Sequence, residues 1–129
     1  MTHPSRARIE QMATEAFAAI PEELRAPLGD IVFRVEELPD AQTCAALDLT
    51  SPYNLLGLYH GIDLLRKSAF QINQDLDQIF LYRQPILTFC QQTGEPLEDV
   101  VTHVLIHEIG HHYGYSDDDM DRLQSGDAI

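Results

Sequence analysis

The sequence predicts an α+β fold in which a small mixed β-sheet packs against an N-terminal helix and a central helix. Three observations support this fold class. Apolar residues recur at helical spacing near the start of the chain, three short apolar segments have the length of strands, and a long apolar helical pattern begins at Pro96. Since 44% of the 129 residues are hydrophobic, we expect one domain, residues 1–129, with one modest core.

The first predicted element is a packing helix between Pro4 and Ile20, for which Thr2 or Ser5 can supply the cap. Its apolar side chains recur every three or four positions, as expected when one helix face is buried. These residues are Ile9, Met12, Ala13, Ala16, Phe17 and Ile20. Residues 21–29 contain two prolines and a glycine, so we expect a short helical turn and a loop there.

Three later segments have the composition of strands. Residues 31–35 read Ile-Val-Phe-Arg-Val, and residues 79–82 read Ile-Phe-Leu-Tyr. Residues 55–62 are apolar and punctuated by glycines, which fits a strand or a strand followed by a turn near a ligand. Together they predict a small mixed sheet. Between the first two, residues 40–54 are compatible with either a long loop or a short helix over Ala41–Leu47.

Two helices follow the third strand, and the first of them begins at Pro85 and ends near Gly94. The second has Pro96 in its first turn, where a missing N–H is tolerated, and Glu98 and Asp99 next to the positive helix end. Because its middle is almost entirely apolar, we expect a central buried helix. The apolar residues are Val100, Val101, Val104, Leu105, Ile106 and Ile109.

This last helix carries His107-Glu108-Ile109-Gly110-His111, the HExxH pattern of mononuclear zinc hydrolases. Helical residues four apart differ by about 6 Å in rise and about 40° in rotation, so both imidazoles can converge on one ion. Glu108 adjoins the first histidine and can accept a proton from a metal-activated water that attacks a carbonyl group. The pattern predicts one Zn²⁺ per chain, with Glu108 as general base.

A catalytic zinc needs a third protein ligand and one open position. After His111 the chain contains no glutamate and no histidine beyond His112, so we expect an aspartate. Gly114 can end the helix in the left-handed conformation and reverse the chain toward the metal, which makes Asp117 the best placed carboxylate. The alternatives, as ligands or as partners of an imidazole N–H, are Asp118, Asp119 and Asp121.

With this motif the chain resembles the small bacterial zincin-like metallopeptidases, compact proteins with HExxHxxGxxD close to the C-terminus. Three further segments are similar to recurrent blocks of that family. They are residues 32–36 followed by Pro39, residues 56–61 and residues 79–86. The resemblance therefore covers most of the chain.

The resemblance implies a minimal zincin fold with His107, His111 and Asp117 as zinc ligands, and with Glu108 as base. It also implies that an extended peptide binds along the edge strand of the sheet, parallel to the metal-bearing helix. The motif is similar to that of metzincins too, but their methionine turn is missing unless Met120 takes its place. We therefore carry over no substrate preference from metzincins.

Amide hydrolysis passes through an oxyanion, which a phenol or imidazole near the metal can stabilise. The candidates for this oxyanion or substrate contact are Tyr115, His60, Tyr59 and Tyr82. Tyr115 lies inside the predicted metal loop, which favours it slightly. His103 lies one helical turn before His107 and can line the site, although such a residue is more often a packed imidazole.

Composition limits the partners and the compartment. A net charge of -13, from 8 basic and 21 acidic residues, argues against nucleic acid or an anionic membrane and favours neutral or basic polypeptides. Cys44 and Cys90 lie far apart without metal-ligand spacing, so we expect reduced thiols, with a disulfide as the alternative. Because we find neither an export signal nor an apolar run of about 18 residues, we expect a cytoplasmic protein.

These observations predict a zinc-dependent metallopeptidase that cleaves a peptide or protein substrate. The alternative is a metal-binding regulatory or interaction protein with little or no peptidase activity, since few residues outside the motif can build deep specificity pockets. A structural zinc site is a weaker alternative, because Glu108 would then have no role and closed zinc sites generally use cysteine.

Overall fold

A computed structural model describes residues 4–26, 31–60 and 77–112, apart from the side chains of His60, Asp77 and His112. The described helices are α1 (Arg6–Ala18), α2 (Glu22–Arg25), α3 (Ala41–Ala46), α4 (Arg83–Thr93) and α5 (Leu97–His112). The strands are β1 (Ile31–Glu36), β2 (Gly57–His60) and β3 (Asp77–Tyr82), and a 3-10 turn spans Pro52–Asn54. The predicted α+β fold class is confirmed.

Helix α1 lies where the apolar periodicity predicts it. Its first turn is capped by Ser5, whose hydroxyl accepts a hydrogen bond from the Arg8 N–H at 3.1 Å. The fully buried Ile9 and Ala13 anchor the helix in the core that it shares with β3, α4 and α5. Phe17 meets Phe33 of β1 edge to face, with ring centroids 5.6 Å apart.

The three strands form a mixed sheet in the order β1-β3-β2, with β1 parallel and β2 antiparallel to β3. Strand β2 is therefore an edge strand of the described sheet. The Tyr82 N–H donates to the Leu56 carbonyl at 2.9 Å, so these two residues form a hydrogen-bonded pair. Along an antiparallel ladder, such pairs alternate with pairs whose N–H groups point away from the partner strand. The backbone N–H groups of Gly57 and Tyr59 consequently point away from β3.

Alternate residues of β3 face two different environments. Ile79 and Leu81 are fully buried in the core that α1, α4 and α5 share. Phe80 and Tyr82 lie on the opposite face, with their rings nearly parallel at 12° and 6.3 Å between centroids. The sheet thus separates a closed helix side from an outer side near α3.

Helix α4 ends and helix α5 begins as predicted, whereas the predicted end of α5 at Gly114 lies outside the described residues. Helix α4 follows β3 directly and ends before Gly94, whose φ of 77° is the left-handed conformation expected at a helix end. Helix α5 starts after Pro96, and the Val100 N–H donates to the Pro96 carbonyl at 3.1 Å. Ile106 departs from the predicted burial, because it is 41% exposed on the side of α5 that carries Thr102 and His103.

No described helix is both long enough and apolar enough to cross a membrane.

Candidate metal centre

The two motif histidines are already at metal-binding distance. Both imidazoles are half-buried, and Nε2 of His107 lies 3.2 Å from Nε2 of His111. Two nitrogens that bind a tetrahedral zinc at about 2.05 Å each are about 3.3 Å apart. The pair therefore fits one zinc ion without a change of helix geometry, because successive turns of α5 bring the two rings together.

The rest of the predicted ligand set lies beyond the described residues. Asp117, its neighbouring aspartates and Tyr115 all fall after residue 112, where the description ends. Within the described ranges, no group of three or more His, Cys, Asp or Glu side chains could hold a metal ion. The third ligand consequently stays a prediction from the sequence, whereas the geometry of the histidine pair is described.

Glu108 is the one charged residue among the buried side chains of the described core, with 8% of its surface exposed. It lies on the side of α5 that meets β2, where its Oε1 accepts a hydrogen bond from the Tyr59 N–H at 2.9 Å. That N–H is one of the two backbone donors of β2 that point away from β3. A charged acceptor makes this a comparatively strong bond, so β2 orients the carboxylate beside the histidine pair.

The close approach of β2 to α5 depends on Gly57. A Cβ at this position would lie 2.5 Å from Cγ1 of Val104, 3.1 Å from the Phe80 carbonyl oxygen and 3.5 Å from Cγ of Glu108. A side chain would therefore push the strand away from the helix. Gly57 thus keeps the Tyr59 N–H within reach of Glu108.

A cavity of about 540 Å³ adjoins His107 and Glu108 between α5, α4 and the chain before β2. Its apolar wall includes Leu56, Phe89 and Val104, and its polar wall includes Asp99 and His103. The exposed His103 therefore lines the space beside the histidine pair, as its spacing on the helix suggests. The cavity provides room for a substrate side chain next to the two motif residues.

The structure places the other sequence candidates in different surroundings. Tyr59 packs its half-buried ring against the core and offers its backbone N–H to Glu108. Tyr82 is 3% exposed and lines a separate cavity on the outer side of the sheet. His60 ends β2, and its side chain, like Tyr115, lies outside the described part. An oxyanion-stabilising role for any of them stays a prediction.

Sequence reasoning missed the hydrogen bond from the Tyr59 N–H of β2 to the Glu108 carboxylate. Every residue except proline carries a backbone N–H, so the identity of Tyr59 does not reveal it. The usable signal was Gly57, because a glycine inside a short apolar strand indicates a close approach of another chain segment.

A family model described as zincin-like metallopeptidase matches residues 28–127, which include all three strands, α4, α5 and the predicted metal loop. No curated protein matches the chain.

Proposed function

The chain belongs to the zincin-like metallopeptidase family, and on that premise we propose that it is a zinc-dependent peptidase in which His107, His111 and Asp117 hold one zinc ion. The observation that carries this proposal is the separation of 3.2 Å between Nε2 of His107 and Nε2 of His111, next to a buried glutamate on the same helix. Two nitrogens and one carboxylate leave the fourth position of a tetrahedral zinc open for chemistry.

Bound zinc would supply electrophilic assistance, by polarising the scissile carbonyl and lowering the pKa of a water molecule to about 7. In the mechanism that we propose, Glu108 accepts the proton of the attacking water and then delivers it to the departing amine. The Tyr59 N–H holds the Glu108 carboxylate in place for both transfers. Burial of Glu108 limits competing water around it.

We propose a peptide or protein as substrate, bound in extended conformation along β2. The outward N–H of Gly57 belongs to an edge strand of the described sheet, so a substrate backbone can pair there as an added strand. The net charge of -13 favours neutral or basic substrates over nucleic acid or anionic membranes. We propose the cytoplasm as compartment, which agrees with the unpaired thiols of Cys44 and Cys90.

The proposal is tested by metal analysis together with cleavage of a broad quenched-peptide library. Wild type should contain stoichiometric zinc and cleave peptides, whereas Asp117→Ala should lose the metal. Glu108→Gln should keep the metal and lose about 10²–10⁴-fold in turnover, because the amide cannot accept the proton. The matched control is Glu98→Gln, which changes an exposed carboxylate in the first turn of the same helix and should leave turnover intact.

Retained turnover in Glu108→Gln would remove the assignment of the base. Stoichiometric zinc without cleavage of any peptide would instead support the metal-binding regulatory or interaction protein. Wild-type protein that binds no metal would refute both functions.

A further inference from the structure

A second cavity, here called the outer cavity, lies on the face of the sheet away from α5. Its volume is about 680 Å³, and it is bounded by β3, β2, the end of β1 and α3. Its lining includes Leu58, Phe80, Tyr82, Glu36, Asp40 and Leu38. Neither the histidine pair nor Glu108 is among the described residues that line it, so the outer cavity is distinct from the cavity beside the metal centre.

Tyr82 is the one buried residue among the described residues that line the outer cavity, and its side chain carries a polar hydroxyl. The residue is 3% exposed, and among the described residues its hydroxyl has no hydrogen-bond partner. Buried polar groups in proteins nearly always have a partner, so an unpaired one beside an open volume indicates a place for a ligand atom. Burial, followed by the charges of Asp40 and Glu36, raises the pKa of Tyr82 to about 12. The phenol is therefore neutral at physiological pH and can accept as well as donate a hydrogen bond.

Negative charge accumulates around this hydroxyl. The Thr43 backbone N–H donates to Asp40 at 2.7 Å and lowers the pKa of that carboxyl group, which is thus ionised at neutral pH. Neither Asp40 nor Glu36 forms an ion pair within the described ranges. The nearby Arg34 donates instead to the Gln78 side chain at 2.6 Å. A cationic ligand would be attracted to the outer cavity, and an anionic one would be repelled.

We propose that the outer cavity binds the guanidinium group of an arginine side chain carried by a polypeptide partner. Guanidinium is planar and only donates hydrogen bonds, so it can stack on the half-buried ring of Phe80 and donate to the Tyr82 oxygen and the Asp40 carboxylate. At the rim, Leu38 and Leu47 are 38% and 45% exposed, which offers apolar contact to residues flanking the arginine.

The first experiment compares two peptides on the full-length wild-type protein by isothermal titration calorimetry. Acetyl-Leu-Arg-Leu-amide should bind at least about tenfold more tightly than the same peptide with citrulline, which keeps the shape of arginine and removes its charge. Acetyl-arginine-amide, which lacks the flanking leucines, should bind more weakly than the arginine tripeptide. Equal affinity for the arginine and citrulline peptides, or no binding at millimolar concentrations, would overturn the proposal. Equal affinity for acetyl-arginine-amide and the arginine tripeptide would show that the flanking residues contribute nothing, and would overturn a polypeptide as the source of the arginine.

The second experiment uses variants of the cavity lining. Tyr82→Phe and Asp40→Asn should each weaken the arginine tripeptide by about three- to tenfold, and the asparagine can still cap α3. The matched control is Glu10→Gln, which removes one exposed carboxylate from α1, outside the cavity, and should leave affinity unchanged. A similar loss in Glu10→Gln would show attraction by net charge alone and refute the site.

Thermal unfolding without peptide supplies a readout that does not depend on binding. Tyr82→Phe removes a hydroxyl that has no hydrogen-bond partner in the part of the chain that the structure describes, so its melting temperature should equal or exceed that of wild type. A lower melting temperature would show that the hydroxyl is already satisfied within the fold, and the inference would fail even if the peptide bound.

Discussion

The two faces of the sheet are built from alternate residues of the same strand, but they are covered very differently. On the helix side, Ile79 and Leu81 are fully buried in a core to which α1, with 13 residues, and α5, with 16, contribute. On the outer side, the described residues that cover the sheet include α3, which has six residues and none buried, and they leave a cavity that Tyr82 lines. The helix side thus provides the packing that positions the histidine pair, and the outer side carries the cavity for which we propose a role in recognition.

Paired truncations on β3 should show the largest difference between the faces. Leu81→Ala leaves a cavity in the closed core and should lower the free energy of unfolding by about 2–5 kcal/mol. Phe80→Ala should cost less than about 2 kcal/mol, because its half-buried ring already borders open volume. Urea unfolding of both variants measures this difference. Equal losses would show that the outer face is as tightly packed as the core.

On the outer face, Tyr82 should make the free energy of unfolding depend on pH in the alkaline range. Its pKa is raised from 10.0 to about 12 by burial and by the carboxylates, so the unfolded chain releases this proton first. Ionisation of Tyr82 therefore leaves the free energy of unfolding unchanged below pH 10.0 and lowers it as the pH rises toward about 12, by up to about 2–3 kcal/mol. Urea unfolding of wild type and Tyr82→Phe across this range should show a steeper fall in wild type, because the other titrating groups are common to both proteins. Parallel curves would contradict the described environment of Tyr82.

A smaller effect is expected where β2 touches α5. Gly57→Ala places a Cβ against Val104 and the Phe80 carbonyl, which should lower the free energy of unfolding by about 1–3 kcal/mol. The variant should also cleave peptides more slowly, because β2 moves and its hydrogen bond to Glu108 is displaced. Gly94→Ala is the control, since nothing lies within 4 Å of the added Cβ and only its φ of 77° opposes the change. It should cost about 1 kcal/mol and leave cleavage unaffected. Unfolding and peptidase assays on both variants compare the two sites.

Much of the helix side could be predicted because its signals are local. Pro96 and the acidic first turn predict the start of α5, Gly94 predicts the end of α4, and the spacing of His107 and His111 predicts that their nitrogens converge. These signals depend on helix geometry and on the conformational limits of single residues. They need no knowledge of distant contacts.

Two features could not be predicted from the sequence, and the reason is physical. They are the outer face of the sheet and the hydrogen bond from the Tyr59 N–H to Glu108. Residues 79–82 are apolar at every position, so their pattern does not show which alternate residues face the helices, and Tyr82 was a candidate for the site although it lies on the opposite face. For the same reason Ile106 was expected in the core. The choice between a loop and a helix after Pro39 depended on the Asp40 cap, which selects α3.

Helix α1 packs on α5, and β1 pairs with β3 from Ile31 opposite Asp77 to Glu36 opposite Tyr82. Contacts between such distant segments close long loops, and folding slows as the mean sequence separation of contacts grows. During synthesis on the ribosome, α1 emerges long before the helix that it packs against. Ile9 and Ala13 therefore cannot be buried against α5 until that helix has been translated.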